Sequence, residues 1–90
     1  MTTAPPSATV RVRYFAGARA ASGVNEETIE VPQGATVRDL VAELAERHGD
    51  TLTRVLTACS FLLDGVAVRD QTLTLPDGSG VDVLPPFAGG

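Results

Sequence analysis

The chain has 90 residues, of which 43% are hydrophobic, with three Phe, one Tyr and no Trp. A chain of this length holds one domain with a small core, built here mainly from Val, Leu and Ala. The formal net charge of −4 argues against binding to nucleic acid, which requires a basic surface.

The N-terminal segment, residues 1–8 (MTTAPPSA), has neither basic residues nor an apolar run, so it lacks the pattern of a signal peptide. We expect it to be a disordered lead-in to a domain that spans residues 9–84. No apolar stretch approaches the roughly 20 residues needed to span a bilayer. These features favour a cytoplasmic protein.

Two alternating segments predict the first two strands. In TVRVRYF, residues 9–15, apolar and charged residues alternate, as is typical of a half-buried strand. Its core-facing side chains are those of Val10, Val12 and Tyr14, and the opposite face carries Arg11, Arg13 and Phe15. AGARAASG, residues 16–23, is predicted to be a loop. ETIEV, residues 27–31, is the second strand, with Ile29 and Val31 towards the core.

The next segment predicts a helix from about Val37 to His48. Thr36 is a suitable N-cap, and Asp39 lies where its side chain completes a variant of the capping box. Gly49 is expected to end the helix at the C′ position. An apolar stripe recurs at helical spacing at Val37, Leu40, Val41 and Leu44.

The remainder of the chain predicts three strands. TLTRVLTA, residues 51–58, is a short segment to which no element is assigned, and Cys59 after it is expected to be a small buried hydrophobic residue. FLLDG, residues 61–65, predicts a strand that ends in an Asp-Gly turn, with VAV as its partner. VDVLP, residues 81–85, is the last strand. Its core-facing side chains are those of Val81 and Val83, with Asp82 and Leu84 opposite.

The predicted order is strand, strand, helix, strand, short strand, strand. An α+β fold with one main helix across a mixed sheet of four or five strands accommodates this order. If the first two strands form a hairpin and the helix leads to a strand parallel to the first, the fold is a β-grasp, the architecture of ubiquitin. The pattern alone also permits a split βαβ arrangement.

Three segments together resemble the MoaD/ThiS family of ubiquitin-like sulfur carriers, and within it the MoaD branch, the small subunits of molybdopterin synthase. They are YFAGARAASG (14–23), TVRDLVAELAERHG (36–49) and DVLPPFAGG (82–90). The resemblance covers about residues 9–90. It implies that an ATP-using enzyme related to the ubiquitin-activating enzymes adenylates the carboxylate of Gly90, and that a sulfur donor protein then converts it into a thiocarboxylate.

The chemistry of such carriers accounts for the sequence PPFAGG. Gly89 and Gly90 lack Cβ atoms, so the tail can enter a narrow channel with backbone angles closed to other residues. From Pro85 to Gly90 the extended chain reaches roughly 20 Å. Pro85 and Pro86 stiffen its base, which lowers the entropy lost on insertion. The residues expected to enter a partner are therefore Pro85, Pro86, Phe87, Ala88 and Gly89, and Gly90 carries the reacting group.

The sheet face opposite the helix is the expected docking surface for partners. It would present Arg11, Arg13, Phe15 and Leu84, and the resemblance adds Arg19 of the YFAGAR segment. The partners implied are the activating enzyme, a sulfur donor and a sulfur-accepting synthase, such as the large subunit of molybdopterin synthase in molybdenum cofactor biosynthesis. Whether Arg11 and Arg13 are solvated or pair with Asp82 is open at this point.

Other functions fit the same sequence. The sulfur could serve thiazole, cysteine or a specialised sulfur-containing metabolite, the chain could modify proteins through isopeptide bonds as ubiquitin does, or it could be a plain interaction module. The sequence holds no metal-ligand cluster, no nucleophile paired with a base and no phosphate-binding loop. We therefore expect a non-catalytic carrier without a bound cofactor or metal, with ATP used by the activating enzyme.

Overall fold

The computed structural model describes residues 6–86; residues 1–5 and 87–90 lie outside the described part. The described part contains three helices and five strands. In chain order they are β1 (Ser7–Tyr14), α1 (Ala16–Ser22), β2 (Glu26–Pro32), α2 (Val37–His48), α3 (Asp50–Leu56), β3 (Ser60–Leu63), β4 (Val66–Ala67) and β5 (Gly80–Leu84). Between residues 6 and 86 no helix is both long and apolar enough to span a membrane.

The five strands form one mixed sheet in the order β2-β1-β5-β3-β4. β1 and β2 form an antiparallel hairpin in which Val10 lies opposite Ile29. β5 then runs parallel to β1, with Val83 beside Tyr14, and antiparallel to β3. α2 packs across one face of this sheet. The predicted α+β class and β-grasp architecture are confirmed.

β1 begins earlier than the sequence pattern indicated. Ser7 and Ala8, which the prediction assigned to the N-terminal lead, belong to the strand and pair with Pro32 and Val31. The side chain of Ala8 is buried on the core face of the sheet. The hairpin with β2 therefore extends the strand by two residues, because Ala8 contributes to the core although it has little strand preference of its own.

The predicted capping of α2 is present in full. The Thr36 side chain accepts a hydrogen bond from the Asp39 backbone N–H at 3.2 Å, and the Asp39 carboxylate accepts one from the Thr36 N–H at 2.9 Å. Gly49 ends the helix with φ of 84° and donates its N–H to the Ala45 carbonyl. Leu44 lies within the helix and is fully buried. These local signals fix both ends of α2.

Two short helices were not predicted. Residues 16–22, expected to form a loop, form α1, in which Ala18 is fully buried and Gly23 closes the last turn with φ of 81°. Residues 50–56, left unassigned, form α3, which buries Leu52 and Leu56. Each has seven residues, a length at which a helix is marginal in isolation. They pack against each other, and this packing stabilises both.

The core confirms the predicted orientation of β1, β2 and β5. All eight residues expected in the core are buried: Val10, Val12, Ile29, Val31, Leu40, Leu44, Val81 and Val83. Cys59 is half-buried against this core, and its thiol donates to the Val55 carbonyl at 3.2 Å. The predicted Asp-Gly turn between β3 and β4 is also present, with positive φ at both Asp64 and Gly65.

A polar cluster joins the hairpin to the end of α2. The Glu27 carboxylate accepts a hydrogen bond from the Tyr14 hydroxyl and contacts His48 Nε2, both at 2.5 Å. The rings of Tyr14 and His48 meet edge to face, with centroids 5.8 Å apart. Burial disfavours the charged form of Glu27, but the hydrogen bonds from Tyr14 and His48 and the nearby positive charges outweigh it. The net effect lowers the pKa of Glu27.

This cluster predicts how stability depends on pH. Because the pKa of Glu27 is lower in the folded than in the unfolded chain, its contribution to stability is present above the ordinary glutamate value of 4.5 and is lost as pH falls through the folded pKa. We expect the free energy of unfolding of the wild type to fall more steeply below that pH than that of Glu27→Gln. Denaturant melts between neutral and acid pH test this. Glu46→Gln, at an exposed site on α2, should keep the wild-type profile, and equal slopes for all three proteins would contradict the prediction.

Candidate functional site: the open face of the sheet

The sheet face away from α2 is the open face of this protein. Strand pairing brings side chains of β2, β1, β5 and β3 together on it, since Arg11 lies between Thr28 and Gly80, and Asp82 lies between Arg13 and Leu62. Arg11 and Arg13 are exposed, as the alternation in β1 predicted. The open face divides into an apolar and a polar part.

The apolar patch consists of Phe15, Leu84 and Leu62. Phe15 lies directly after β1, is 38% exposed, and donates its backbone N–H to the Val83 carbonyl at 3.2 Å. This bond places it beside the end of β5, where Leu84 is half-buried. Leu62 on β3 pairs with Asp82, so it lies diagonally across from Leu84 on the same face, and it is also half-buried. Apolar patches at a protein surface are common at interaction sites.

Leu62 is the residue of this patch that the sequence analysis did not identify. In the structure Phe61 is buried, and since successive strand residues point to opposite faces, Leu62 points to the open face. The run FLL does not reveal which of its residues faces the core. Pairing of β3 with β5 decides the register.

Arg13 and Asp82 form an ion pair beside the apolar patch. Arg13 Nε lies 2.8 Å from Asp82 Oδ1, and Nη2 lies 3.1 Å from Oδ2, so the contact is bidentate. Hydrogen bonding to Asp82 and its negative charge raise the pKa of Arg13. The guanidinium also lies 5.8 Å from the centre of the Phe15 ring, within the range of a cation–π contact. Of the two alternatives left open by the sequence, Arg13 pairs with Asp82, whereas Arg11 is solvent-exposed.

The polar part of the open face contains a cavity of about 270 Å³. Arg11 and Arg13 line it on one side, and Asp64 of the β3–β4 turn lines it on another. Gly78 and Gly80 also line it and have no side chains to fill it. A polar concavity therefore lies next to the apolar patch on the same surface.

The tail begins at the end of β5, beside the apolar patch. Pro85 is half-buried and Pro86 exposed, and the remaining predicted tail residues, Phe87, Ala88, Gly89 and Gly90, lie outside the described residues. Arg19, predicted to contact partners, is exposed on α1 and is not part of the sheet.

Cys59 is poorly suited to carry sulfur itself. Burial raises the pKa of its thiol, so less of the reactive thiolate forms near neutral pH. Its Sγ is also hydrogen-bonded to the Val55 carbonyl. Among residues 6–86 no group of three His, Cys, Asp or Glu side chains is arranged to hold a metal ion.

Comparison with known proteins relates this architecture to sulfur carriers. This chain is 40% identical to the "Molybdopterin synthase sulfur carrier subunit" of Chlamydomonas reinhardtii over 82 residues, which cover 90% of this chain and 98% of that protein. The structure titled "Putative molybdopterin converting factor, subunit 1" from Pyrococcus furiosus matches with a TM-score of 0.81 at 35% identity, over 89% of this chain and 99% of that one.

A third similar structure comes from a complex. It is titled as a protein–protein complex of subunits 1 and 2 of the molybdopterin-converting factor from Helicobacter pylori. It matches with a TM-score of 0.65 at 27% identity, over 91% of this chain and 99% of that one.

The fold and these comparisons define the class as ubiquitin-like β-grasp proteins. The ThiS family model matches residues 12–90, which include the end of β1, all of α2 and β5, and the glycine pair. The chain belongs to the ThiS family. The predicted resemblance is therefore confirmed.

Proposed function

We propose that this protein is the sulfur carrier subunit of a molybdopterin synthase and holds sulfur as a thiocarboxylate on Gly90. The observation that carries the proposal is the 40% identity, over nearly the full length of both chains, to a protein named for that role. The open face supports it, because an apolar patch at the base of the tail can dock a partner while the tail enters that partner's site.

Activation of the tail follows from the chemistry of a carboxylate. Its negative charge resists nucleophiles, and oxide is a poor leaving group. The activating enzyme uses ATP to transfer AMP onto a carboxylate oxygen of Gly90 and releases pyrophosphate. Sulfur at the oxidation level of sulfide then attacks the carbonyl carbon and displaces AMP, which leaves the thiocarboxylate. The chain contributes the glycine tail and the docking face, and the partner enzymes supply the catalytic groups.

Thiocarboxylate formation is the direct test. The full chain, its activating enzyme, ATP and sulfide are incubated together, and intact-mass spectrometry follows the chain. We expect the mass to rise by the difference between sulfur and oxygen, with the change located on the C-terminal peptide. An unchanged mass in the presence of a competent enzyme would overturn the carrier proposal.

The accepting pathway is tested with the thiocarboxylated chain. We expect the large subunit of molybdopterin synthase to use it to introduce sulfur into the cofactor precursor. Transfer only to a thiazole or cysteine synthase would retain the carrier role and reject the molybdopterin branch. An amide link to another protein would instead show a modifier; since this chain has no lysine, that link would use a lysine of the other protein.

The two types of partner would use the same docking face in turn. The activating enzyme must bind the chain before sulfur is added, and the large subunit must bind it afterwards. A similar subunit has been solved together with its subunit 2, which supports the second of these contacts. We place this ATP-dependent cycle in the cytoplasm.

Charge placed in the apolar patch should weaken docking. We expect Phe15→Asp or Leu84→Asp to reduce affinity for the activating enzyme about tenfold or more, because docking would bury an unpaired carboxylate. Binding is measured by calorimetry. The fold should persist, because Phe15 is exposed and Leu84 is only half-buried.

Val66→Asp is the matched control for this experiment. Val66 is the most exposed of the large hydrophobic residues described, at 69%, and it lies on the edge strand β4. We expect it to bind like the wild type. Equal affinities for all four proteins would remove the apolar patch from the docking surface.

A further inference from the structure

The polar cavity next to the apolar patch has an arginine without a partner. Arg11 makes no side-chain hydrogen bond or ion pair with any residue between 6 and 86. Its neighbours across the sheet are Thr28 on β2 and Gly80 on β5. Because neither neighbour is bulky, the guanidinium is open to a group that approaches the face.

We infer that this cavity receives a carboxylate side chain of the large synthase subunit, held by Arg11 together with Arg13. The inference rests on the proposed function, since it names the chemistry of the partner at the same docking face. Paired N–H donors of a guanidinium fit the two oxygens of a carboxylate. A cavity of about 270 Å³ accommodates such a side chain.

The hydrogen bonds within the cavity leave N–H donors of the two arginines unpaired among residues 6–86. Both oxygens of Asp82 already accept from Arg13, and Asp64 Oδ1 accepts from the Gly80 N–H at 2.8 Å. Arg13 uses two of its five N–H groups in this pair, and Arg11 uses none on another side chain in the described part. The N–H groups of Arg11 and the remaining three of Arg13 are free of side-chain partners in the described part, so an acceptor that approaches the cavity can bind them.

Surrounding acids limit how far this attraction extends. Glu26 and Glu30 lie on β2 opposite Arg13 and Thr9, on the same face as the arginines. Together with Asp64 and Asp82 they outweigh the positive charge of the two arginines at long range. A partner carboxylate is therefore recognised at contact rather than attracted from a distance, and we expect Arg11 to act on the dissociation rate more than on the association rate.

Arg13 connects the cavity to the apolar patch. Its guanidinium is held by Asp82 on one side and lies over the Phe15 ring on the other. Because this side chain is already ordered, a partner loses less conformational entropy in binding it. A subunit that covers Phe15 thus brings an adjacent carboxylate to the cavity, and the contact fixes the register in which the two proteins dock.

Binding of the full-length chain to the purified large subunit tests the inference. We expect Arg11→Gln to weaken binding about tenfold through faster dissociation, as loss of a charge-assisted contact predicts. Arg11→Glu should weaken it further, because two carboxylates would then meet. Arg54→Gln is the matched control, since Arg54 is exposed on α3, and it should bind like the wild type.

Exchanging the charges of the two contacting residues identifies which carboxylate of the large subunit binds Arg11. Each exposed Asp or Glu of the large subunit is changed to Arg in turn, and one of these variants should restore binding to Arg11→Glu. If both Arg11 variants bind like the wild type while Phe15→Asp does not, the carboxylate assignment is wrong and the docking face stands. If no exchange restores binding, the assignment is also wrong. If the wild-type chain is not thiocarboxylated, the proposed function itself fails.

Discussion

Deletion of Gly90 should abolish thiocarboxylation of the chain by its activating enzyme. The truncated chain would present its carboxylate about 3.5 Å short of the reacting position. Adenylation requires near-contact between the carboxylate oxygen and the phosphate of ATP, and displacement of that size prevents it. The measurement is the fraction of chain that gains sulfur, followed by intact-mass spectrometry under conditions in which the wild type reacts completely.

Gly90→Ala is the matched variant for this deletion. Its carboxylate keeps the reach of the wild type, and only one methyl group must be accommodated, so we expect slower but measurable conversion. Both variants should melt at the wild-type temperature, because the described core is built from residues between Ala8 and Val83. Conversion of the truncated chain at the wild-type rate would contradict a thiocarboxylate at Gly90.

Replacing Leu44 by Ala should cost about 2–5 kcal/mol of folding free energy. Leu44 lies on α2 and is fully buried in the cluster that joins this helix to the sheet. The substitution removes apolar contacts and leaves a cavity, because closely packed surroundings relax only in part. A domain of this size has a total stability of about 5–10 kcal/mol, so the loss is a large share of it.

Leu73→Ala is the control for Leu44→Ala, because it removes the same atoms from a leucine that is not buried. Leu73 is 45% exposed, so the same truncation there should change the free energy of unfolding by well under half as much. Urea denaturation at neutral pH measures both variants. Equal costs at the two positions would mean that Leu44 does not occupy the packed position described.

Local patterns in the sequence determined the framework of this fold. Alternation in β1 placed Val10 and Val12 in the core and Arg13 on the open face, because successive strand residues point to opposite sides. The capping residues of α2 also act within a few positions of one another. Gly89 and Gly90 were identified through the resemblance of the C-terminal segment to the family motif. They lie outside the described residues, and their role in carrying sulfur stays a prediction.

Only the tertiary structure decided the features that depend on distant residues. α1 and α3 are each too short to be stable alone, and they form because Ala18 and Leu52 are buried in a shared core. Arg13 and Asp82 are 69 positions apart and meet because β1 and β5 are parallel neighbours. In β1, β2 and β5 the sequence determined which face each side chain takes, because apolar and polar residues alternate there. Which side chains of different strands become neighbours on one face depends on the pairing of those strands. Local sequence patterns do not specify this pairing, because paired strands such as β1 and β5 are far apart in the chain.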